Sequence, residues 1–177
     1  MALQVTAYQK LVELDEIERD DEGRPVDETA FYAHPEIVDF VERSWRGYTK
    51  GLRAGAAYGY RARMTVKMPT SISFNAWRRL LLRMVAMNPY EWEGQPQPFG
   101  ELTDFADRDG IFGAEIAKKL ANDFANWQYH ADLFATHLGE EGDVWHRRYK
   151  EWRKVFEMAA DGGAAVVLMP EGEIRRR

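Results

Sequence analysis

With 177 residues, 45% hydrophobic and 30% charged, the chain holds enough apolar material for one globular domain with a full core, which excludes a disordered or fibrous polymer. The lack of cysteine excludes disulfides, zinc–thiolate sites and thiol nucleophiles together. No run of about eighteen apolar residues occurs, and the amino terminus turns acidic without the basic start and long apolar stretch of a signal peptide, so a cytoplasmic protein with no membrane partner is expected.

Residues 1–34 read as an acidic strand-and-loop segment. It holds a weakly alternating strand near Leu3 to Tyr8, a stretch from Tyr8 to Glu18 that fits a helix equally well, and a solvated loop, DDEGRPVDET, over 20–29. A first helix starts at Pro35, with Glu36 and Asp39 near the positive end of its dipole and Ile37, Val38, Val41, Trp45 and Tyr48 as its apolar stripe. Four glycines between 47 and 59 loosen the chain before YGYRARMTVKM, residues 58–68. That run alternates without a break: Tyr58, Tyr60, Ala62, Met64, Val66 and Met68 on one side, Gly59, Arg61, Arg63, Thr65 and Lys67 on the other. A strand is predicted, closed by Pro69.

SISFNAWRRLLLRMVAMNP follows as a helix with a Ser/Asn-type cap, the stripe Phe74, Trp77, Leu81 and Met84, and Arg78, Arg79 and Arg83 on its polar side. EWEGQPQPFGE reads as an irregular surface connection. From Gly113 to Leu138 the series Leu120, Phe124, Trp127, Ala131, Phe134 and Leu138 marks a helical seam, answered by Trp145, Tyr149, Trp152, Phe156 and Ala159 on a second helix beyond GEEGD. Gly162 and Gly163 release the chain into a short buried strand, AAVVLM, over 164–169. The elements predict an α+β fold in a single domain, 1–177, with a flexible tail at 171–177. A small antiparallel sheet is covered by about four helices, including a long antiparallel helical hairpin. The seam serves equally inside a monomer or as a homodimer face.

The segments SISFNAWRRLL, PFGELTDFADRDGIFGAEIAKKLANDF and WRKVFEMAADGGA, in this order, resemble a family of uncharacterised proteins from bacteria and their phages. The shared features are an aromatic-Asn-x-Trp-Arg helix start, a Pro-Phe-x-Glu-Leu segment running into an acidic Gly turn, and a terminal Arg-Lys-x-Phe helix followed by Gly-Gly. The likeness covers about residues 58–168. The chain departs from it at Thr103-Asp104, where Ile-Asn is usual, and at Ala114, where a proline follows the glycine. The resemblance implies a bacterial or prophage setting and carries no catalytic residue across.

The net charge of -5 conceals a segregation. Residues 1–42 hold 3 basic and 12 acidic side chains, 43–83 hold 10 basic and none acidic, and 84–146 again hold 3 and 12. Either the basic middle pairs with its acidic flanks, or it offers a cationic surface to an anionic partner. On the second reading the ligand-binding residues are Arg61, Arg63 and Lys67 on the strand, Arg78, Arg79 and Arg83 on the next helix, and Trp92, an aromatic off any helical stripe. The partner is then a small anionic or nucleotide-like ligand or an acidic protein surface. Nucleic acid is disfavoured because the acidic flanks would repel a long polyanion.

No cofactor motif is present: the chain lacks a G-x-S-x-G elbow, a phosphate-binding G-x-x-x-x-G-K-[ST] and a G-x-G-x-x-G after a strand. Asp104, Asp107 and Asp109 before Gly110 fail the register of a calcium loop, since the closing carboxylate, Glu115, falls one residue short. They leave open, as the alternative function, a small metal-assisted hydrolase. His130, His137 and His146 flank the seam and could bind metal with Glu140 or Glu141, although half-exposed polar neighbours of a seam are commoner. The expectation is a non-enzymatic binding protein using the basic strand-helix face.

Overall fold

The computed structural model describes residues 3–104 and 109–168, less the side chain of Ser71. Asp107 and the tail 171–177 lie outside the described residues. In chain order the strands are β1 (Leu3–Gln9), β2 (Val12–Glu13), β3 (Phe31–Tyr32), β4 (Ala57–Gly59), β5 (Ala62–Met68), β6 (Gly110–Gly113) and β7 (Ala164–Leu168). The helices are α1 (Pro35–Ser44), α2 (Ser71–Ala86), α3 (Ala114–Asn126), α4 (Gln128–His137) and α5 (Gly142–Ala159). The fold is α+β, with two small antiparallel sheets.

The larger sheet has four strands in the order β5-β1-β7-β6. Register fixes its two faces. Ala7 stands opposite Met64 and Ala165, and Ala165 opposite Phe112, whose ring lies 5.8 Å from that of Phe156 on α5. This face, which also carries Leu3, Val5, Val66, Met68 and Val167, packs under α3 and α5. On the other face Tyr8 meets Phe31 at 4.6 Å and Tyr60 at 5.0 Å. There the three-stranded sheet, β2-β4-β3, covers one end of the large sheet, and α1 lies against β6. The central strand β1 is therefore buried on both sides, with Thr6 9% exposed and Leu3, Val5 and Ala7 fully buried.

Several expectations are corrected. The stretch from Tyr8 to Glu18 holds no helix. The strand expected over 58–68 is two strands in two sheets: the chain bends at Tyr60–Arg61, where the Arg61 N–H donates to the Gln9 carbonyl at 2.9 Å, so Tyr58 pairs with Glu13 and Phe31 while Met64 pairs with Ala7. The helix expected over 113–138 breaks at Trp127 (φ -93°, ψ 5°). Its buried stripe continues through the break, with α3 meeting α5 through Phe124 against Tyr149 (4.9 Å) and α4 through Phe134 against Trp145 (5.0 Å). Five helices thus replace four among the described residues.

Gly110–Gly113, directly after the acidic cluster, forms a buried edge strand, and Pro98 and Phe99 of the expected surface connection are buried, as is Leu102 just beyond it. The cap of α2 is Thr70, whose hydroxyl accepts the Ser73 N–H at 3.0 Å, rather than a Ser or Asn.

Three close approaches need glycine for space, the mildest being Gly113, whose Cβ would press on the Lys50 carbonyl. A Cβ on Gly142 would run into the Ala135 backbone, and one on Gly163 into the Tyr8 carbonyl. Gly142 and Gly163 let the α4–α5 turn close and let α5 return directly onto β1.

Candidate functional site

β5 follows the sharp bend at Arg61 and forms an edge of the large sheet, because among the described residues only β1 pairs with it. Met64, Val66 and Met68 face the helices, which leaves Arg63, Thr65 and Lys67 on the outward face beside Tyr8, Thr6 and Gln4 of β1. The Thr6 and Thr65 hydroxyls bond each other at 2.9 Å, fixing the middle of this ladder. Arg148 of α5 donates to the Lys67 carbonyl at 3.0 Å and to Glu151 at 2.9 Å, so that carbonyl points away from β1. Antiparallel alternation turns the main-chain groups of Thr65 and Arg63 to the same open edge.

Arg61, Arg63, Thr65 and Lys67 are all exposed. None of the three cations forms an ion pair with any described residue; the basic middle pairs with its acidic flanks elsewhere, through Arg53 with Glu13 and Lys50 with Glu115 at 2.8 Å. Arg63 does act on Tyr8, whose hydroxyl pKa is raised by burial first and by Tyr60 second, with Arg63 pulling it back.

The helix divides the predicted basic face. Arg78 belongs to the interior: it is 9% exposed, donates to the Leu102 carbonyl at 2.7 Å and to Asn75 at 2.9 Å, and lies 5.2 Å from the centre of the Phe74 ring. It ties α2 to the loop after Phe99 and is no part of an exposed surface. Its position gave this away, being four residues after Phe74 and three before Leu81, within the apolar stripe. Arg79 and Arg83 are exposed on the solvent side of α2. Because α2 stacks through Phe74 and Trp77 on Trp152 of α5, it belongs to the helical layer, across the sheet from Arg63 and Lys67.

Trp92 is a packing residue as well. Half-buried, it directs its indole N–H to the Val85 carbonyl at 3.4 Å and lines a small polar pocket with Glu91, Asp123 and His130. The exposed aromatic of this loop is Tyr90, 87% accessible.

No family model, curated protein or solved structure matches the chain. Its function is therefore argued from its own residues. Among the described residues no helix is long and apolar enough to cross a membrane.

Of the acidic alternative's three aspartates, the two described ones have partners. Asp104 accepts the Tyr48 hydroxyl at 2.6 Å, and burial and this bond together raise the Tyr48 pKa. Asp109 also has partners within the chain. His146 lies 2.7 Å from Asp132, His130 lies 3.7 Å from Glu91 and packs on the Trp127 ring, and His137 packs on Phe134. Among the described residues no three His, Asp or Glu side chains are grouped to hold a metal.

Two features escaped the sequence. The first is an ionic knot: Lys119 bridges Glu101 and Asp123, each at 2.7 Å, and Asp123 also accepts the Phe99 N–H at 2.8 Å. This holds Phe99 at φ 59°, a left-handed conformation costly for so large a residue, with its ring fully buried 4.8 Å from that of Phe124. Burial raises the Asp123 pKa despite the opposing pull of Lys119 and the Phe99 N–H. The second is an apolar cleft of about 550 Å3 between α2 and the start of α5, floored by Trp77 and Trp145 and bordered by Glu140 and Glu141.

Proposed function

We propose that the protein is a non-enzymatic interaction protein whose edge strand β5 receives an extended acidic segment of a partner protein. The observation that carries this reading is the row of exposed, unpaired cations on an open sheet edge. Main-chain groups of Arg63 and Thr65 offer the hydrogen bonds of strand addition, and the cations select for carboxylates.

Spacing favours an extended partner over a compact one. Arg63 and Lys67 lie four residues apart on one face, about 13 Å along the strand at ~3.3 Å per residue. To meet on one phosphate, both side chains would have to lie flat over Thr65. An added strand instead brings alternate side chains to this face, so acids four residues apart meet both cations. Arg79 and Arg83, in the other layer, take no part.

The test is calorimetric titration with a synthetic peptide of alternating glutamate and threonine, at low and at physiological salt, against wild type and Arg63→Gln/Lys67→Gln. Binding that weakens with salt and falls about tenfold or more in the double variant is expected. Equal binding to both proteins sinks the proposal, and preferential binding of a nucleoside triphosphate would replace the extended partner with a compact one.

A further inference from the structure

We infer that the cleft between α2 and α5 is a second docking site, for a partner segment that presents a large apolar side chain next to a cation. Its walls come from Met68 at the end of β5 and Pro69 after it, from Ser73, Ala76, Trp77 and Leu80 on α2, and from Val144 and Trp145 on α5. At about 550 Å3 it is large enough for one or two bulky side chains. The lining is mostly apolar, and apolar surface continues onto its lips: Val144 is 53% exposed, and Ile72, one residue before Ser73, is 73% exposed.

The charge at the border selects the occupant. Glu140 and Glu141 both line the cleft and are exposed, and neither carboxylate has a hydrogen-bond or ion-pair partner among the described residues. Arg148, the one cation of the lining among the described residues, is committed to Glu151 and the Lys67 carbonyl. The free charge of the site is therefore negative. An acidic segment is repelled, and a purely apolar one leaves both carboxylates without a counter-charge. A segment carrying leucine or phenylalanine with a neighbouring lysine or arginine satisfies both parts.

Placing two glutamates before α5 also suits the positive end of that helix. A helix-start role alone does not account for the apolar cleft they border or for the exposed Ile72 and Val144 beside it. The site adjoins the end of β5, through Met68 and Arg148, but lies on the helical side of the sheet and asks for the opposite charge.

The probe is a short amphipathic peptide of leucine and lysine, compared with the same peptide carrying glutamate in place of lysine. Binding is read from tryptophan fluorescence, to which Trp77 and Trp145 contribute, and by calorimetry. Two variants separate the apolar and ionic contributions. Ala76→Trp fills the cleft from an exposed helical position, and Glu140→Gln/Glu141→Gln removes the charge without touching the core. The leucine–lysine peptide is expected to bind wild type, the glutamate version not to bind, and each variant to lose about tenfold in affinity.

Equal affinity for wild type and Ala76→Trp overturns the site, and equal affinity for the two peptides overturns the charge selection. A wild-type dimer in sedimentation that Ala76→Trp converts to monomer overturns the foreign partner in favour of a second copy of this chain. Arg63→Gln/Lys67→Gln should leave binding of the leucine–lysine peptide unchanged, which keeps this test separate from that of β5.

Discussion

Arg78 donates to the Leu102 carbonyl at 2.7 Å from within the apolar face of α2. The bond joins residues 24 apart in sequence and anchors a loop that has little regular structure of its own. A buried hydrogen bond from a charged group contributes about 1.5–3 kcal/mol, and truncating the donor also strands the carbonyl. Arg78→Ala is therefore expected to lose about 3 kcal/mol in urea unfolding, with Arg78→Lys recovering part of it. A loss within the range of a surface substitution would remove the anchoring role.

The cations of β5 also bear on self-association. Charged side chains on an edge strand keep it from pairing with another copy, and an apolar edge of seven residues invites such pairing. Arg63→Val/Lys67→Val should raise the weight-average mass in light scattering above that of wild type at equal concentration. If the mass is unchanged, these cations have no protective role and partner recognition alone must explain them.

Two carboxylates should give opposite pH signatures. Glu42 accepts from the Gly47 N–H and the Thr49 hydroxyl, which hold its pKa below the usual value. Its contribution is present above the unfolded-state pKa and is lost as pH falls through the folded one. The stability deficit of Glu42→Gln should accordingly be largest near neutrality and shrink in acid.

Asp123 is the reverse case, because burial raises its pKa in the folded state. The folded chain holds that proton more tightly than the unfolded one, so stability falls as pH rises from about 4 through the raised value. Asp123→Asn keeps an acceptor for the Phe99 N–H and loses this dependence. Thermal melts of the two proteins should show the variant gaining on wild type across that window, and parallel curves would argue against a raised pKa.

Gly163 and Gly139 are glycines for different reasons. At Gly163 a Cβ would strike the Tyr8 carbonyl, so Gly163→Ala should cost about 2 kcal/mol or more by overpacking. Gly139 has open space but φ 62°, and Gly139→Ala should cost only about 1 kcal/mol of left-handed strain. Similar losses in denaturant titrations would mean that the approach of residue 163 to β1 is looser than described.

What sequence could reveal follows from how far apart the cooperating residues lie. The alternation at 62–68, the stripe of α2 and the matched aromatic series of α3, α4 and α5 were legible because each repeats within one element. β1 alternates weakly because a strand buried on both faces has no wet side to mark. β6 has only four residues, two of them glycine, too few for any period. The break at Trp127 was hidden because the buried stripe runs on through it. In the candidate site, the exposure of Arg61, Arg63 and Lys67 followed from their alternation. The apolar cleft did not, since its walls are contributed by residues some seventy positions apart.

The adjacency of β1 and β7 bears on how the chain is made. Gln4 pairs with Leu168 and Tyr8 with Ala164, and β7 is the link between β6 and the rest of the large sheet. On the ribosome, the first strand must wait unpaired on that side until residues 164–168 emerge. Pairing at such sequence separation is slow to nucleate, so one side of Leu3–Gln9 stays unpaired in the nascent chain until residues 164–168 have been made. Chaperone capture of the waiting strand Leu3–Gln9 during translation is the natural place to look for trouble in its expression.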